Sequence, residues 1–179
     1  MICLIATGSG KTYTMVGSGD AAAPAKRHGY LDADAGLASR SSIELFRLLE
    51  EKEASHTFTV DVIVLELYTD GLKDLLATTG KGLGTETLRI KLAEHSDSGL
   101  VEVEGATKQR ATSAAELITV LRKGATFRST ASTQMNADSS RSHLVTIIEI
   151  SLTHKKTGKL MKGKLTLVDL AGSERVAKR

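Results

Sequence analysis

The residues near the start of the chain that can do chemistry stand at positions 8–12, which read Gly-Ser-Gly-Lys-Thr. Gly8 and Gly10 can adopt positive φ, which lets backbone N–H groups turn inward around an anion. A lysine and a threonine directly after such a loop suit the phosphates and the Mg²⁺ of a bound nucleotide. The full pattern G-x-x-x-x-G-K-[ST] requires glycine at position 5, where this chain has Ile5. The stretch alone leaves two interpretations open, a nucleotide site and an ordinary glycine-rich turn.

An acidic residue far downstream, Asp169, ends the apolar run Leu-Thr-Leu-Val-Asp at 165–169. In a parallel sheet this carboxylate would lie at the carboxyl edge of its strand, beside the glycine-rich loop, and could hold a water bound to Mg²⁺. Gly172 follows and can turn its N–H toward a γ-phosphate, as in a switch loop that senses hydrolysis. Because many strands end on an acid, the alternative is a plain strand end.

A polar stretch at 136–143, Asn-Ala-Asp-Ser-Ser-Arg-Ser-His, forms the third candidate. The serine hydroxyls can bind Mg²⁺ or position a water, and Arg141 can pair with a carboxylate. Composition alone also fits a solvated loop. The position of the stretch, after a capped helix and directly before a buried strand, favours a functional site.

The hydrophobic pattern predicts strands and helices that alternate around one buried sheet, an α/β arrangement. The predicted elements are, in chain order, a strand at 2–6, a short helix from Lys11, an irregular loop at 16–38, a helix from the capping box Ser41–Glu44 to about residue 54, a strand at 57–68, two exposed strands within 87–105, a helix from the capping box Ser113–Glu116, a strand from His143, a Lys-Lys-Thr-Gly turn at 155–158 and a strand ending near Asp169.

The composition fits one soluble domain in a reducing compartment. The chain has 179 residues, 41% of them hydrophobic and 25% charged, with a net charge of +3. Its single cysteine, Cys3, excludes an intramolecular disulfide. No apolar run approaches the length of a membrane span. We therefore expect neither a membrane nor a nucleic acid as partner, while the mild positive charge permits an acidic protein surface.

Taken in order, the three candidates "GSGKTYTM", "NADSSRSH" and "DLAGSER" resemble the phosphate loop, switch I and switch II of the kinesin motor domain. "LELYTDGLKDLL" resembles the central strand of that domain and the short helical turn after it. The resemblance covers nearly the whole chain, 1–179, as one partial motor domain without a second domain. It implies the α/β fold of a P-loop NTPase, with a central sheet flanked by helices on both faces.

The resemblance also implies a role for each matching residue, with ATP and Mg²⁺ as ligands. Those that would bind the nucleotide are Thr7, Gly8, Ser9, Gly10, Lys11, Thr12, Tyr13, Asn136 and Ser139, with Tyr13 packing against adenine. Those near the metal would be Thr12, Ser140 and Asp169. The catalytic set would be Ser140, Arg141, Gly172 and Glu174, with an Arg141–Glu174 salt bridge that closes the switches around the attacking water.

The implied function is ATP hydrolysis coupled to movement along microtubules, in the cytoplasm and on the cytoskeleton. We expect weak microtubule binding by this chain, and any dimerisation to lie outside it. "GKLTLVDLAGSERV" and "MNADSSRSHL" look similar to the C-terminal-motor, minus-end-directed kinesins. Two alternatives remain: a kinesin-like module that binds nucleotide or tubulin without turnover, and an unrelated P-loop ATPase.

Other nucleotide-binding families fit less well. Myosins carry Gly-Phe-Glu in switch II where this chain has Gly-Ser-Glu at 172–174. Asn136 is the only asparagine in the chain, so the guanine-binding motif Asn-Lys-x-Asp of small GTPases is absent. A dinucleotide fingerprint would need its third glycine where Tyr13 stands.

The chain departs from the family at its first loop and at both ends. Ile5 and Ala6 stand where the family usually has Gly and Gln. The opening strands and the relay helix after switch II have no counterpart in the sequence. We expect a fragment of a longer motor, since a sheet without its edge strands would expose unpaired backbone and apolar surface. The alternative is a genuine short kinesin-like protein that has lost motility.

Overall fold

The computed structural model describes residues 8–17, 35–68, 71–77, 88–92, 101–134 and 142–172. The predicted strand at 2–6 and most of the predicted loop at 16–38 lie outside these residues. The described elements are α1 (Lys11–Val16), α2 (Leu37–Glu50), β1 (His56–Tyr68), β2 (Gly71–Asp74), β3 (Arg89–Leu92), β4 (Val101–Glu104), β5 (Gln109–Ala111), α3 (Ala114–Gln134), β6 (Ser142–His154) and β7 (Leu160–Asp169).

The main sheet is built on two long strands, β1 and β6, which pair antiparallel over all 13 residues of each. β7 pairs with the other edge of β6, with Asp169 opposite Leu144. β2 and β5 share the remaining edge of β1. Every strand pair among the described residues is antiparallel, so the expected parallel pairing around Asp169 is wrong for these neighbours. The reason is the predicted turn at 155–158, since a tight turn can join only antiparallel strands.

Alternation of side chains along β1 gives the sheet two different faces. Val60, Val62 and Val64 lie on one face and are fully buried. They pack with Phe46 of α2 and Leu117 of α3, and we call this cluster the helix-side core. This burial explains one half of the apolar, β-branched run that predicts β1. The other half is expected to be buried on the opposite face, as in a central strand.

The opposite face of the sheet has its own, smaller cluster. Ile63 and Leu65 pack there with Ile147 of β6, and Val103 of β4 lies against them. The antiparallel pair β3–β4, predicted as two exposed strands, therefore covers this part of the sheet. Met15 of α1 joins the helix-side core, so the helices of the described part pack on that face. None of these helices is long and apolar enough to cross a membrane.

α1 is short, as its flanking glycines predict, and its end is held by the segment that leads into α2. The helix stops at Val16, and Gly17 forms an isolated bridge with Ala35. A Cβ on Gly36 would lie 2.5 Å from backbone atoms of both Val16 and Gly17. Only a residue without a side chain lets the two segments approach this closely. The helix that follows the glycine-rich loop is therefore fixed by a backbone contact.

α2 does not begin where the capping box Ser41–Glu44 predicts. The helix runs Leu37–Glu50, so Ser41 lies inside it and the predicted start is wrong. Glu44 instead accepts two hydrogen bonds from Arg47, at 2.7 and 2.8 Å, which lower the pKa of its carboxyl. Ala38 packs against the helix-side core, and this burial favours the longer helix over the local cap.

α3 does begin at its predicted capping box. The Ser113 Oγ accepts a hydrogen bond from the Glu116 N–H at 3.2 Å. The Glu116 carboxylate reaches one residue further than a capping box requires and accepts from the N–H and the hydroxyl of Thr112, at 2.8 and 2.7 Å. Hydrogen bonding to the Thr112 backbone and side chain lowers the pKa of Glu116. The helix then runs to Gln134, two residues before the polar stretch at 136–143 begins.

The residues after β1 form a strand where the resemblance implies a short helical turn, so that expectation is wrong. β2 pairs antiparallel with the end of β1, with Leu72 opposite Leu67. Leu72 also packs against the smaller core. The physical reason is that the outer edge of a long strand carries N–H and C=O groups that need partners, which β2 supplies.

We expect Gly36→Ala to destabilise the chain, because the added methyl group meets backbone that cannot move aside. Overpacking of this kind costs about 1–3 kcal/mol. Gly163→Ala in β7 is the matched control, since a Cβ there has no atom within 4 Å. Urea unfolding followed by circular dichroism measures both variants. Equal midpoints for the two would contradict the close contact at Gly36.

Candidate nucleotide site

The glycine-rich loop has the backbone that an anion cradle requires. Gly8 and Gly10 have φ of 82° and 87°, in the left-handed region that glycine adopts without strain. A Cβ at either position would meet no atom within 4 Å, so conformation rather than crowding demands glycine here. α1 starts directly at Lys11, without a side-chain cap. The loop thus leaves open space at the start of a helix, where phosphate loops hold a phosphate.

The acid at the end of β7 lies against this loop. The Thr12 Oγ1 donates a hydrogen bond to the Asp169 Oδ2 at 2.8 Å, although the two residues are 157 positions apart in sequence. Asp169 is 3% exposed, while Thr12 lies on the exposed side of α1. The structure therefore brings together the first and second candidate motifs, as the sequence predicts, through an antiparallel β7 rather than a parallel one.

A third residue at this junction, Arg128 of α3, was not among the predicted site residues. Its side chain is 6% exposed and forms an ion pair with Asp169, from Nη1 to Oδ2 at 2.7 Å. Its Nη2 donates to the backbone oxygen of Ser142 at 2.8 Å, and its Nε to the Ser142 Oγ at 3.3 Å. One guanidinium therefore connects α3 with the first residue of β6 and the last residue of β7. Its planar fork suits such a set of acceptors.

The hydrogen-bond network continues from Ser142 into β1. The Ser142 Oγ donates to the Glu66 Oε1 at 2.7 Å, while it accepts from Arg128. Ser142 is 2% exposed, and Glu66 is half-buried. Charged and polar groups at such burial require partners, and here each supplies one for the next.

The ends of the second and third candidate motifs are joined by a separate contact. The backbone N–H of Ala171 donates to the His143 Nδ1 at 2.8 Å. His143 is the last residue of the serine-rich stretch, and Ala171 follows Asp169 by two positions. The next residue, Gly172, is half-buried beside this contact. A movement of one motif would therefore displace a direct hydrogen-bond partner of the other.

The residues at the junction fit a bound Mg²⁺. Asp169 Oδ1 is buried and has no hydrogen-bond partner among the described residues, while Oδ2 accepts from both Thr12 and Arg128. A buried carboxylate oxygen without a donor is costly unless a water or an ion satisfies it. Hydroxyl and carboxylate oxygens are ligands that Mg²⁺ prefers, either directly or through its waters.

Several predicted site residues fall outside the described part of the chain. These are Thr7, Asn136, Ser139, Ser140, Arg141 and Glu174. Of the remainder, Gly8, Ser9, Gly10, Lys11, Thr12, Tyr13, Asp169 and Gly172 are placed, with Tyr13 52% exposed on α1. The described members lie at one end of the sheet, on the loop, on α1 and at the end of β7.

A signal for Arg128 was present in the sequence. Leu117, Leu121 and Gly124 precede it at spacings that place all four residues on one face of a helix. The described part of α3 buries this face against the sheet. A lone arginine on the apolar face of a helix must find a buried acceptor, and an acid at the end of a neighbouring strand is the natural choice.

The loop, the threonine that follows its lysine and the acid at a strand end are arranged as in the P-loop NTPases, the class of protein to which this fold points. The comparisons with known proteins are more specific, since a family model described as the kinesin motor domain matches residues 2–179. The chain therefore belongs to the kinesin motor-domain family. The α/β fold implied by the sequence is confirmed by a solved kinesin structure with a TM-score of 0.78.

That structure is described as a fast kinesin, with implications for its ATPase mechanism and its interactions with microtubules. It is 34% identical to this chain, which covers 44% of its length, while the alignment includes 97% of this chain. Among curated relatives, kinesin-like protein KIN-14I of Oryza sativa subsp. japonica is 38% identical over 180 residues. Kinesin-like protein KIN-5A of Arabidopsis thaliana is 37% identical over 176 residues.

The matched region is a small part of these relatives. The alignment with KIN-14I includes 99% of this chain but 13% of that protein, and the alignment with KIN-5A includes 96% and 16%. KIN-14 proteins thus stand among the relatives, with KIN-5 and KIN-8 proteins at similar identity. The comparisons support the family and do not single out the C-terminal-motor group.

We expect Arg128→Met to destabilise the chain by about 3–5 kcal/mol, because it leaves the buried Asp169 carboxylate without its counter-ion. Arg110→Met is the matched control, since Arg110 forms a similar pair with Asp61 at 2.9 Å on an exposed part of the sheet. Exposed pairs are screened by water and contribute little. Chemical denaturation gives the two free energies of unfolding. A loss for Arg110→Met as large as that for Arg128→Met would contradict the assignment of Arg128 as a buried structural cation.

Proposed function

We propose that this chain is the nucleotide-handling core of a kinesin, which binds ATP with Mg²⁺ and hydrolyses it. In the whole protein, hydrolysis would drive movement along microtubules. The observation that carries the proposal is the Thr12–Asp169 contact, with the second carboxylate oxygen of Asp169 buried and without a donor among the described residues. Family membership supports the same function, and the C-terminal-motor group is the subgroup we propose.

The proposed binding of ATP rests on the loop and α1. The loop N–H groups and Lys11 would hold the phosphates, with Ser9 in the cradle and Tyr13 against the adenine. Thr12 and Asp169 would hold the metal, which supplies positive charge against the charge that develops on the phosphates. Arg128 keeps the Asp169 side chain oriented by occupying Oδ2. The carboxylate therefore presents Oδ1 without having to reorganise during the reaction.

Hydrolysis would depend on the two switch motifs. Arg141 and Glu174 are proposed to close around the attacking water, with Ser140 near the metal and Gly172 donating its N–H to the γ-phosphate. In phosphoryl transfer the protein mainly positions water and stabilises charge, so no strong base is needed. The Ala171–His143 hydrogen bond supports this coupling, because it already connects the ends of the two motifs at 2.8 Å.

A microtubule is the proposed polymer partner, and we place its contact on β3–β4. Ile90 in β3 is 67% exposed, beside an exposed salt bridge between Lys91 and Glu104. An exposed apolar residue framed by charges is typical of a weak, salt-sensitive protein contact. The second candidate, a module that binds nucleotide or tubulin without turnover, is favoured by Ile5, which stands where the sequence pattern of the loop has glycine.

Steady-state ATPase assays with and without microtubules test the proposal. We expect Mg²⁺-dependent turnover that microtubules stimulate, and loss of nucleotide binding in Lys11→Ala, because the phosphates lose their cation. Nucleotide binding is measured in parallel with a fluorescent ATP analogue. Binding without turnover, even after the flanking segments of a full motor are added, would favour the binding module over the enzyme.

Variants of the proposed switch residues separate binding from hydrolysis. We expect Arg141→Ala and Glu174→Ala to abolish hydrolysis while ATP binding stays largely intact, since these side chains act on the attacking water. Arg110→Ala, on the exposed part of β5, is the control and should leave both unchanged. An equal loss of binding and hydrolysis in the switch variants would contradict their assignment.

A further inference from the structure

A glycine inside the longest described helix makes an unusually close contact with the sheet. Gly124 lies in the interior of α3 (Ala114–Gln134), where glycine is less favourable than almost any other residue. A Cβ at this position would lie 2.5 Å from the Val64 Cγ1, 3.1 Å from its Cβ and 3.3 Å from its Cγ2. No ordinary side-chain contact is that short, so any side chain at 124 would push α3 away from β1.

Val64 cannot move aside to accommodate a larger residue. Its side chain is fully buried in the helix-side core. Its strand is paired on both edges, with Thr146 of β6 opposite it and with its carbonyl accepting from the Leu75 N–H at 2.9 Å. The branched side chain also has little rotamer freedom. The distance between α3 and the sheet is therefore determined at Gly124, by the absence of a side chain.

Arg128 follows Gly124 by one turn on the same face of α3. Its guanidinium reaches past the helix-side core to Ser142 and Asp169, with hydrogen bonds of 2.7 to 3.3 Å. Such bonds weaken steeply as donor and acceptor separate. An outward shift of α3 would withdraw the guanidinium from both acceptors and leave the buried carboxylate held by Thr12 alone.

We propose that Gly124 is a positioning residue for the nucleotide site. By letting α3 lie directly on Val64, it places Arg128 against Asp169 Oδ2, so that Oδ1 would remain available to a metal. The effect on catalysis rests on the proposed ATPase function. The effect on Arg128 does not, because it concerns only the chain's own contacts.

The experiment compares Gly124→Ala, Val64→Ala and the double variant, all in the full chain. The first readout is the Arg128 Nε–H signal in nitrogen-15 NMR, which a buried hydrogen bond protects from exchange with water. The second is the rate of ATP turnover, measured at saturating Mg²⁺. Val64→Ala controls for lost stability, since it removes core methyl groups without moving α3 outward.

We expect Gly124→Ala to lose the protected Arg128 signal and to reduce turnover by roughly 10²-fold, the effect of a displacement of about 1 Å in a catalytic arrangement. Val64→Ala alone should keep the signal. In the double variant, the Cγ1 contact at 2.5 Å is removed while the Cβ contact at 3.1 Å remains, so both readouts should recover in large part. An unchanged Arg128 signal in Gly124→Ala would overturn the proposal, as would a double variant that recovers neither readout relative to Gly124→Ala.

The two readouts also distinguish this proposal from the proposed function. A chain without ATP turnover, in which Gly124→Ala loses the Arg128 signal and the second change restores it, would support the positioning role and reject the enzyme. A chain that hydrolyses ATP equally well with and without Gly124→Ala, with its Arg128 signal intact, would reject the positioning role and leave the enzyme in place.

Discussion

The buried ion pair between Arg128 and Asp169 is the interaction on which the arrangement of the site depends. Both side chains are almost fully buried, and neither charge could remain there alone without a large desolvation penalty. The pair therefore forces α3, the start of β6 and the end of β7 to meet at one point. Thr12 adds α1 to the same carboxylate oxygen, so the glycine-rich loop is attached to the sheet through the acid that the metal would use.

The long register of β1 and β6 makes this meeting possible. These strands pair over all 13 residues, which places Ser142 opposite Tyr68, close to Glu66. β7 extends the same register, so Asp169 ends beside the first residues of β6. A slip of one residue would turn Asp169 toward the opposite face, away from Arg128. The apolar pattern of the two faces is what prevents that slip, and the core thus aligns the polar end of the sheet.

The parts that could be predicted from the sequence are those determined by local pattern. The apolar run of β1, the glycine breaks around α1 and the capping box at Ser113 each depend on neighbouring residues, and each is found in the structure. The start of α2 and the strand β2 depend on distant partners, so the local cap at Ser41 and the expected helical turn were both wrong. Arg128 was missed for the same reason, because its acceptor lies 41 positions away.

Three local features of the chain are unfavourable: Gly36, Gly124 and the buried charge of Arg128. The glycine at position 36 allows the close backbone contact that holds the end of α1. The glycine at position 124 weakens α3 but lets it lie directly on Val64. Arg128 and Asp169 form a buried ion pair, where two well-packed apolar residues in place of both would give comparable or greater stability. A sequence selected for stability alone would avoid all of these. Natural proteins break local rules of this kind mainly where function requires a geometry, and here the two glycines hold the helices that carry Thr12 and Arg128, which both donate to Asp169.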